Sequence, residues 1–309
     1  MSATSSMSLA AAPSGDRSTF DRRIALALLA IYLIWGSTYL AMRVAVESLP
    51  PWGQAGLRFA CAGLVLLAVA RARGEAWPSR RTWIVALPIG ALLFGVGNGF
   101  VAAAERTVPS GLAAVVCATT PLIAAGLSAV RGDRPQRAEV IGMVLGIGGV
   151  ALLALGSPLA SAGLDGLMIV LAPVGFASGS LWARSHARAH GVGLAATAAQ
   201  MMAGGACLLA LSAATGERVP SEIEWRSVIA WAHLVVFGSL VGFTAYAWLL
   251  RNARPAVAMS YAYVNPIVAV LLGAALAGES LTWTTALAGL LIAAGVMSAL
   301  LRATARPRV

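Results

Sequence analysis

The chain contains no lysine: all 22 of its basic residues are arginine, set against 12 acidic residues and 3 histidines. Charged residues make up only 11% of the sequence and apolar ones 59%, with a mean hydropathy of +0.81. Soluble domains carry roughly a quarter charged residues, so a soluble fold is excluded. A nucleic-acid binder gathers its basic charge on one polar face, whereas these arginines are scattered singly or in small groups between long apolar runs. No alternation of polar and apolar residues at every second position occurs, which argues against the strands of a membrane barrel. The sequence also lacks HExxH and GxSG, the marks of intramembrane metallo- and serine proteases, and its loops are too short to hold a soluble catalytic domain. The 3 cysteines, Cys61, Cys117 and Cys207, each fall well inside an apolar run, where a buried thiol packs and a disulfide is not expected. His186 and His190 lie four apart, with alanine at 187, in a short predicted loop and suit a solvated turn better than a metal site, so no metal and no cofactor is expected.

What is there is a series of long uncharged intervals: 24–42, 82–104, 107–130, 140–164, 166–183, 189–216, 227–250, 255–278 and 280–301. A further one, 48–70, is broken only by Arg58. A spanning helix needs about 20 mostly apolar residues, and in hydrocarbon every backbone N–H and C=O must find an internal partner, which continuous helices provide. The prediction is an all-α polytopic membrane protein with ten transmembrane helices. The apolar run after the Ser- and Ala-rich first 20 residues is too long for the core of a signal peptide and no clear cleavage site follows it, so it is read as a retained helix.

Arginines near span ends are retained on the cytoplasmic side. With the N-terminus inside, 17 arginines fall in cytoplasmic segments and only Arg43, Arg106, Arg218 and Arg226 fall outside. Both termini are therefore expected in the cytoplasm. An Arg-, Ala- and Gly-heavy composition without lysine suggests a GC-rich bacterium, hence its cytoplasmic (inner) membrane.

Helices four and five resemble helices nine and ten in the order of their landmarks. Each pair has a proline (Pro121, Pro266), then a Gly-acid turn (Gly132-Asp133, Gly278-Glu279), then two glycines six apart (Gly142 and Gly148; Gly289 and Gly295). Five helices is an odd number, so a second copy inserts upside down, and the arginine-rich turn at Arg131, Arg134 and Arg137 against the arginine-free turn at Glu279 fits that inversion. The expected division is a polar tail (1–22), a first five-helix repeat (23–157), a second, inverted repeat (158–303) and a short C-terminal tail (304–309). Inverted repeats favour a secondary transporter, in which broken helices in corresponding positions mark a midplane site. Those breaks are Thr119-Thr120-Pro121 and Asn265-Pro266.

Trp35-Gly36-Ser37, Leu57-Arg58-Phe59, the segment from Ala104 to Ala114, Thr120-Pro121 and the two Gly-acid turns together resemble the EamA family of the drug/metabolite transporter superfamily, over about residues 24–302. Gly132-Asp133 departs from the usual Gly-Glu of that family. The resemblance implies ten helices in two inverted repeats and export of small metabolites, amino acids among them, through a central cavity.

Several residues are candidates for the site. Aromatic and polar side chains form a binding wall: Trp35, Ser37, Tyr39, Ser178, Trp182, Tyr246, Tyr261, Tyr263 and Asn265, joined by Asn98, Thr119 and Thr120. Trp182 also suits the interfacial belt. Arg58, costly within a span, is either a substrate contact or an anchor that snorkels to the outer interface. Glu105 is either one half of a solvated pair with Arg106 or a gate or proton-coupling group, and no Asp or Glu falls within the spans themselves. His233 is a weaker ionisable candidate. Gly95-Val96-Gly97-Asn98-Gly99 lacks the strand context of a phosphate loop and, like Gly142 to Gly149, reads as a close-packing surface. A homodimer through helices five and ten is one use for the latter. The partners expected are a small-molecule substrate and the lipid bilayer, with no nucleic acid. The alternative to a transporter is a channel-like or sensory membrane protein, with a polytopic enzyme further behind.

Overall fold

The computed structural model describes residues 22–132, 137–156, 158–190, 193–252 and 261–303. All regular structure among them is helical. The long helical runs are α1 (Arg22–Ala45), α2 (Pro51–Ala72), α3 (Arg80–Ala104), α4 (Ser110–Val130), α5 (Arg137–Gly156), α6 (Gly163–His190), α7 (Leu194–Ala214), α8 (Trp225–Asn252), α9 (Tyr261–Ala277) and α10 (Trp283–Ala303), and a one-turn helix, Pro158–Ser161, lies between α5 and α6. Seven helices are long and apolar enough to cross a membrane, and three shorter apolar stretches, Val140–Leu152, Val264–Ala277 and Trp283–Gly295, lie in α5, α9 and α10. The chain is a multi-pass membrane protein.

Three helices depart from a plain α-helix. In α3 and α8 the middle turns widen to π-helix, over Ala91–Gly99 and Leu234–Val241. The sequence gives no warning of either run beyond its glycines. In α3 the Asn98 amide donates to the Leu93 carbonyl at 2.9 Å, so a side chain takes up part of the altered ladder. In α4 the helix stops at Cys117 and restarts at Thr120, with Pro121 in the first turn of the new segment, where its missing N–H costs nothing. The break expected at Thr119-Thr120-Pro121 is present. The break expected at Asn265-Pro266 is not seen: α9 runs on as α-helix from Tyr261 to Ala277 with Pro266 inside it, while residues 253–260 before it and Asp133 of the first Gly-acid turn lie outside the described residues.

Small residues bring the helices together. Gly56 and Gly63 of α2 face Leu209 and Met202 of α7, and a Cβ on Gly205 would sit 2.8 Å from the backbone of Ala60 and Gly56. Between α5 and α10, Gly142 and Gly295 face each other's carbonyls and Gly149 faces Ile292. Gly175 and Gly179 of α6 meet Val96 and Leu93 of α3. With lipid on one side and protein on the other, such close backbone approach is what holds apolar helices in register.

Three glutamates bind helix ends across the fold. Glu75, just beyond α2, accepts from the backbone N–H of Leu194 (3.1 Å) and Ala195 (3.0 Å) at the start of α7. Glu217, just beyond α7, returns the arrangement on Trp52 (3.1 Å) and Gly53 (2.8 Å) at the start of α2. Glu279, beyond α9, does the same on Ser110 (2.8 Å) and Gly111 (3.0 Å) of α4. Each carboxylate satisfies N–H groups that a helix start leaves without partners, and meets the positive end of its dipole. The glycine before each one, Gly74, Gly216 or Gly278, has positive φ (81°, 69° and 64°), which turns the chain off its helix so that the acid reaches across.

Candidate functional site

A central cavity of about 90 Å³ lies among α1, α2, α3, α4, α6, α8 and α9. Trp35 and Tyr39 come from α1, Arg58 from α2, Asn98 from α3, Cys117 and Thr120 from α4, Phe176 from α6, Phe243 from α8, and Tyr261 and Asn265 from α9.

One wall is aromatic. The Trp35 ring packs against Phe243 (centroids 5.3 Å apart), Tyr246 (5.2 Å) and Tyr261 (5.0 Å), and Tyr246 meets Tyr261 edge-on at 5.5 Å. Trp35 Nε1 donates to the Gly238 carbonyl at 3.1 Å, inside the π-helical run of α8. That bond spends the indole's one donor. Widening the helix at Gly238 therefore connects the backbone irregularity to the orientation of a lining residue.

The other wall is polar. Arg58 is only 3% exposed, its Nε donates to Ser239 Oγ at 2.9 Å, and its guanidinium lies 4.7 Å from the Phe59 ring. The expectation that Arg58 snorkels outward is corrected: it is held inside the bundle by a hydroxyl from the same π-helical run. Asn265 is 5% exposed and its Oδ1 has no hydrogen-bond partner among the described residues. Thr120 Oγ1 donates to the Cys117 carbonyl at 2.6 Å, at the break in α4.

Other sequence candidates fall elsewhere. Thr119 is buried and its hydroxyl donates to the Val116 carbonyl of its own helix. Ser37 faces α8, with its Oγ 3.0 Å from His233 Nε2. Tyr246 stands behind Trp35 and Tyr261 rather than on the cavity. Ser178, Pro121 and Pro266 are not among the lining residues. Trp182 is 42% exposed on the outward side of α6 and belongs to the surface, not to the wall. The side chain of Tyr263 lies outside the described residues.

Glu105 and Arg106 do not form a solvated pair. Arg106 bonds Asp165 at 3.1 Å, and Thr107 donates to the same carboxylate at 2.9 Å. Glu105 is 0% exposed and neither carboxylate oxygen has a hydrogen-bond partner among the described residues. The Arg43 guanidinium donates to its main-chain carbonyl, not to its carboxylate. Sequence reasoning missed Phe176, Phe243 and Cys117 on the lining. An isolated Phe or Cys in a helix that is apolar all round gives no sign of which way it turns.

The model of the EamA-like transporter family matches residues 22–155 and again residues 166–301. The chain belongs to this family. It is 42% identical to the inner membrane transporter YedA of Escherichia coli strain K12 over 257 residues, which span 83% of each chain. It is 28% identical to the protein PecM of Dickeya dadantii over 244 residues, 78% of this chain and 80% of PecM. A solved crystal structure with 22% sequence identity superposes with a TM-score of 0.64 over 91% of this chain and 98% of the other, which establishes agreement of fold. Lining residues come from both matched segments: Trp35, Arg58, Asn98 and Thr120 from the first, and Phe176, Phe243, Tyr261 and Asn265 from the second.

Proposed function

We propose that the chain is a secondary transporter that exports small metabolites, amino acids among them, across the cytoplasmic membrane by alternating access through this cavity. The observation that carries the proposal is a cavity lined from both matched segments, with an acceptor on Asn265 that has no partner among the described residues and a guanidinium whose Nε is held by Ser239. Buried polar groups are ordinarily paired, and exceptions mark places where a partner comes and goes. In this proposal the ten helices form two inverted five-helix repeats. The Gly-acid turns, the π-helical runs in both α3 and α8, and the exchange of glutamates between α2 and α7 support that arrangement.

Glu105, buried without a donor, is the coupling candidate, and Arg58 the residue that meets substrate. Both termini face the cytoplasm in this proposal, as the arginine distribution favours. A homodimer through α5 and α10 would use their outward residues Val144, Ile147, Leu290 and Met297, because Gly142 and Gly149 are occupied against α10 within the chain.

The test is a proteoliposome assay with a mixed panel of amino acids and other small metabolites, with lumenal contents identified by mass spectrometry with and without a pH gradient. Transport predicts accumulation of unchanged solute above empty vesicles, abolished in Asn265→Ala. Chemically altered solute would point to an enzyme. Flux of many solutes, linear in concentration without saturation, would favour the channel alternative.

A further inference from the structure

A second opening lies away from the central cavity. It is a groove of about 560 Å³ between α1 and α8, lined by Arg23 and Ala27 of the first helix and by Leu240, Val241, Thr244 and Trp248 of the second. Arg23 and Ala27 are four apart, and the α8 residues follow one another at helical spacing, so each set forms a single stripe on its helix. The two helices run antiparallel: Ser227 Oγ, near the start of α8, donates to the Val44 carbonyl near the end of α1 at 2.7 Å, while Ile24 and Ala27 at the start of α1 pack in one cluster with Trp248 and Leu249 near the end of α8. Arg23 and Trp248 therefore mark the same end of the groove, and Leu240 and Val241 the other.

The lining says what fills it. Beyond Arg23, its main polar group is the Thr244 hydroxyl, and none of the described lining residues is acidic. Ordered water needs two to four polar partners, which this wall does not supply. From Leu240 to Trp248 the face runs about 12 Å at 1.5 Å per residue. That is less than half of a hydrocarbon core about 30 Å thick. A helix from a second copy lies along the full depth, whereas an acyl chain enters from one leaflet and matches the shorter length. At the Arg23 end the chemistry changes to suit a headgroup. Arg22 and Arg23 are both exposed there, and a tryptophan beside them is the usual companion of the interface. A guanidinium matches a phosphate in charge and geometry.

We propose that the groove between α1 and α8 binds an anionic phospholipid, with one acyl chain along the α8 stripe and the headgroup phosphate at Arg23. This needs a membrane-spanning chain and does not rest on the transport reading. The place is consequential, because Leu240 and Val241 belong to the π-helical run that also presents the Gly238 carbonyl to Trp35 and the Ser239 hydroxyl to Arg58. A lipid in the groove touches the same run that anchors two residues of the central cavity.

The experiment places the purified full-length chain in phosphatidylcholine nanodiscs that also hold a lipid with brominated acyl chains, either phosphatidylglycerol or phosphatidylcholine. Bromine quenches a tryptophan that the chain touches, and the emission of Trp248 is read as the difference between the protein and its Trp248→Phe variant. Brominated phosphatidylglycerol is expected to reach half-quenching at about fivefold lower mole fraction than brominated phosphatidylcholine, the preference that one arginine near the headgroups confers. Arg23→Gln should bring the two lipids together. Ala27→Phe, which fills part of the groove, should weaken quenching by both. Should Arg23→Gln fail to fold, raising the salt concentration on the unaltered chain should shrink the preference by screening. Equal quenching by the two lipids, or a preference that survives both Arg23→Gln and high salt, overturns the assignment of the headgroup. Trp248 protected from both lipids overturns the site, since something other than a lipid chain then covers the groove.

Discussion

Two helix pairs carry the same carboxylate device and differ in the continuity of their helices. The pair α2 and α7 is clasped at both ends, by Glu75 at one and Glu217 at the other, and Glu217 also accepts from Ser212 Oγ at 2.7 Å. Between the clasps both helices run unbroken, with glycine against backbone along the seam. The pair α4 and α9 is clasped by Glu279 where α4 begins, and α4 is interrupted at Ala118-Thr119. Thr120 and Asn265 of that second pair face the cavity, as Arg58 of α2 does, whereas α7 supplies none of its described lining. Identical carboxylate chemistry thus serves an unbroken seam in one place and a broken pair in the other. If the transporter proposal holds, the first pair is frame and the second pair moves.

The largest effect expected from breaking this contrast is at Glu217. Glu217→Ala leaves the N–H groups of Trp52 and Gly53 and the Ser212 hydroxyl without their shared acceptor, and should cost about 2–4 kcal/mol. Thermal unfolding in detergent should show this as the steepest fall among the three clasp variants. A smaller fall than for Glu279→Ala would reverse the assignment of frame and moving part.

Next in size is the seam itself. A Cβ on Gly205 would lie 2.8 Å from two backbone atoms of α2, which a helix cannot yield cheaply, so Gly205→Ala should destabilise by about 1–3 kcal/mol. On the other pair, a Cβ on Gly111 would meet Val270 Cγ2 at 3.0 Å and its Cα at 3.2 Å, contacts a few tenths of an ångström less severe than the two at Gly205. Gly111→Ala should therefore cost less than Gly205→Ala in the same unfolding assay. Equal costs would mean that both seams are equally rigid.

A third expectation concerns movement rather than stability. Cys117 is free and lines the cavity, so in a Cys61→Ser, Cys207→Ser background it reports access to the cavity by a membrane-impermeant thiol reagent. Glu279→Gln weakens the clasp on Ser110 and Gly111 and should raise labelling from the side on which Glu279 lies by about tenfold. Glu217→Gln should leave labelling unchanged. An increase in both, or in neither, would dissolve the distinction between the pairs.

The sequence carries some of this and hides the rest for physical reasons. Long uncharged intervals, the break at Thr119-Thr120-Pro121 and the close-packing glycines are local properties, and they are legible without a fold. The Gly-acid turn is visible at Gly278-Glu279, yet the same dipeptide at Gly74-Glu75 and Gly216-Glu217 passes unremarked, because its meaning lies in a partner 119 to 169 residues away. Rotation about a helix axis is the other hidden quantity. Trp35 and Trp182 look alike in sequence, each in an apolar run without an amphipathic stripe, but one faces the cavity and the other faces outward. Burial of Arg58 depends on Ser239, which a π-helical run of α8 brings into reach, and no pattern in α2 announces it.

The smallest effect sharpens the comparison most finely, because it concerns one hydroxyl at each clasp. Ser212 Oγ donates to Glu217, whereas Ser110, whose N–H serves Glu279, is 0% exposed and its own Oγ has no hydrogen-bond partner. Ser212→Ala removes a charge-assisted hydrogen bond and should cost about 1 kcal/mol in thermal unfolding. Ser110→Ala removes a buried polar atom that nothing satisfies, so it should be neutral or slightly stabilising. Opposite signs for two serines beside the same kind of clasp follow only if one clasp is built for tightness and the other leaves its hydroxyl unspent. A matching loss at Ser110 would show that its hydroxyl is bonded when the protein is in its membrane, and the second clasp would then be as complete as the first.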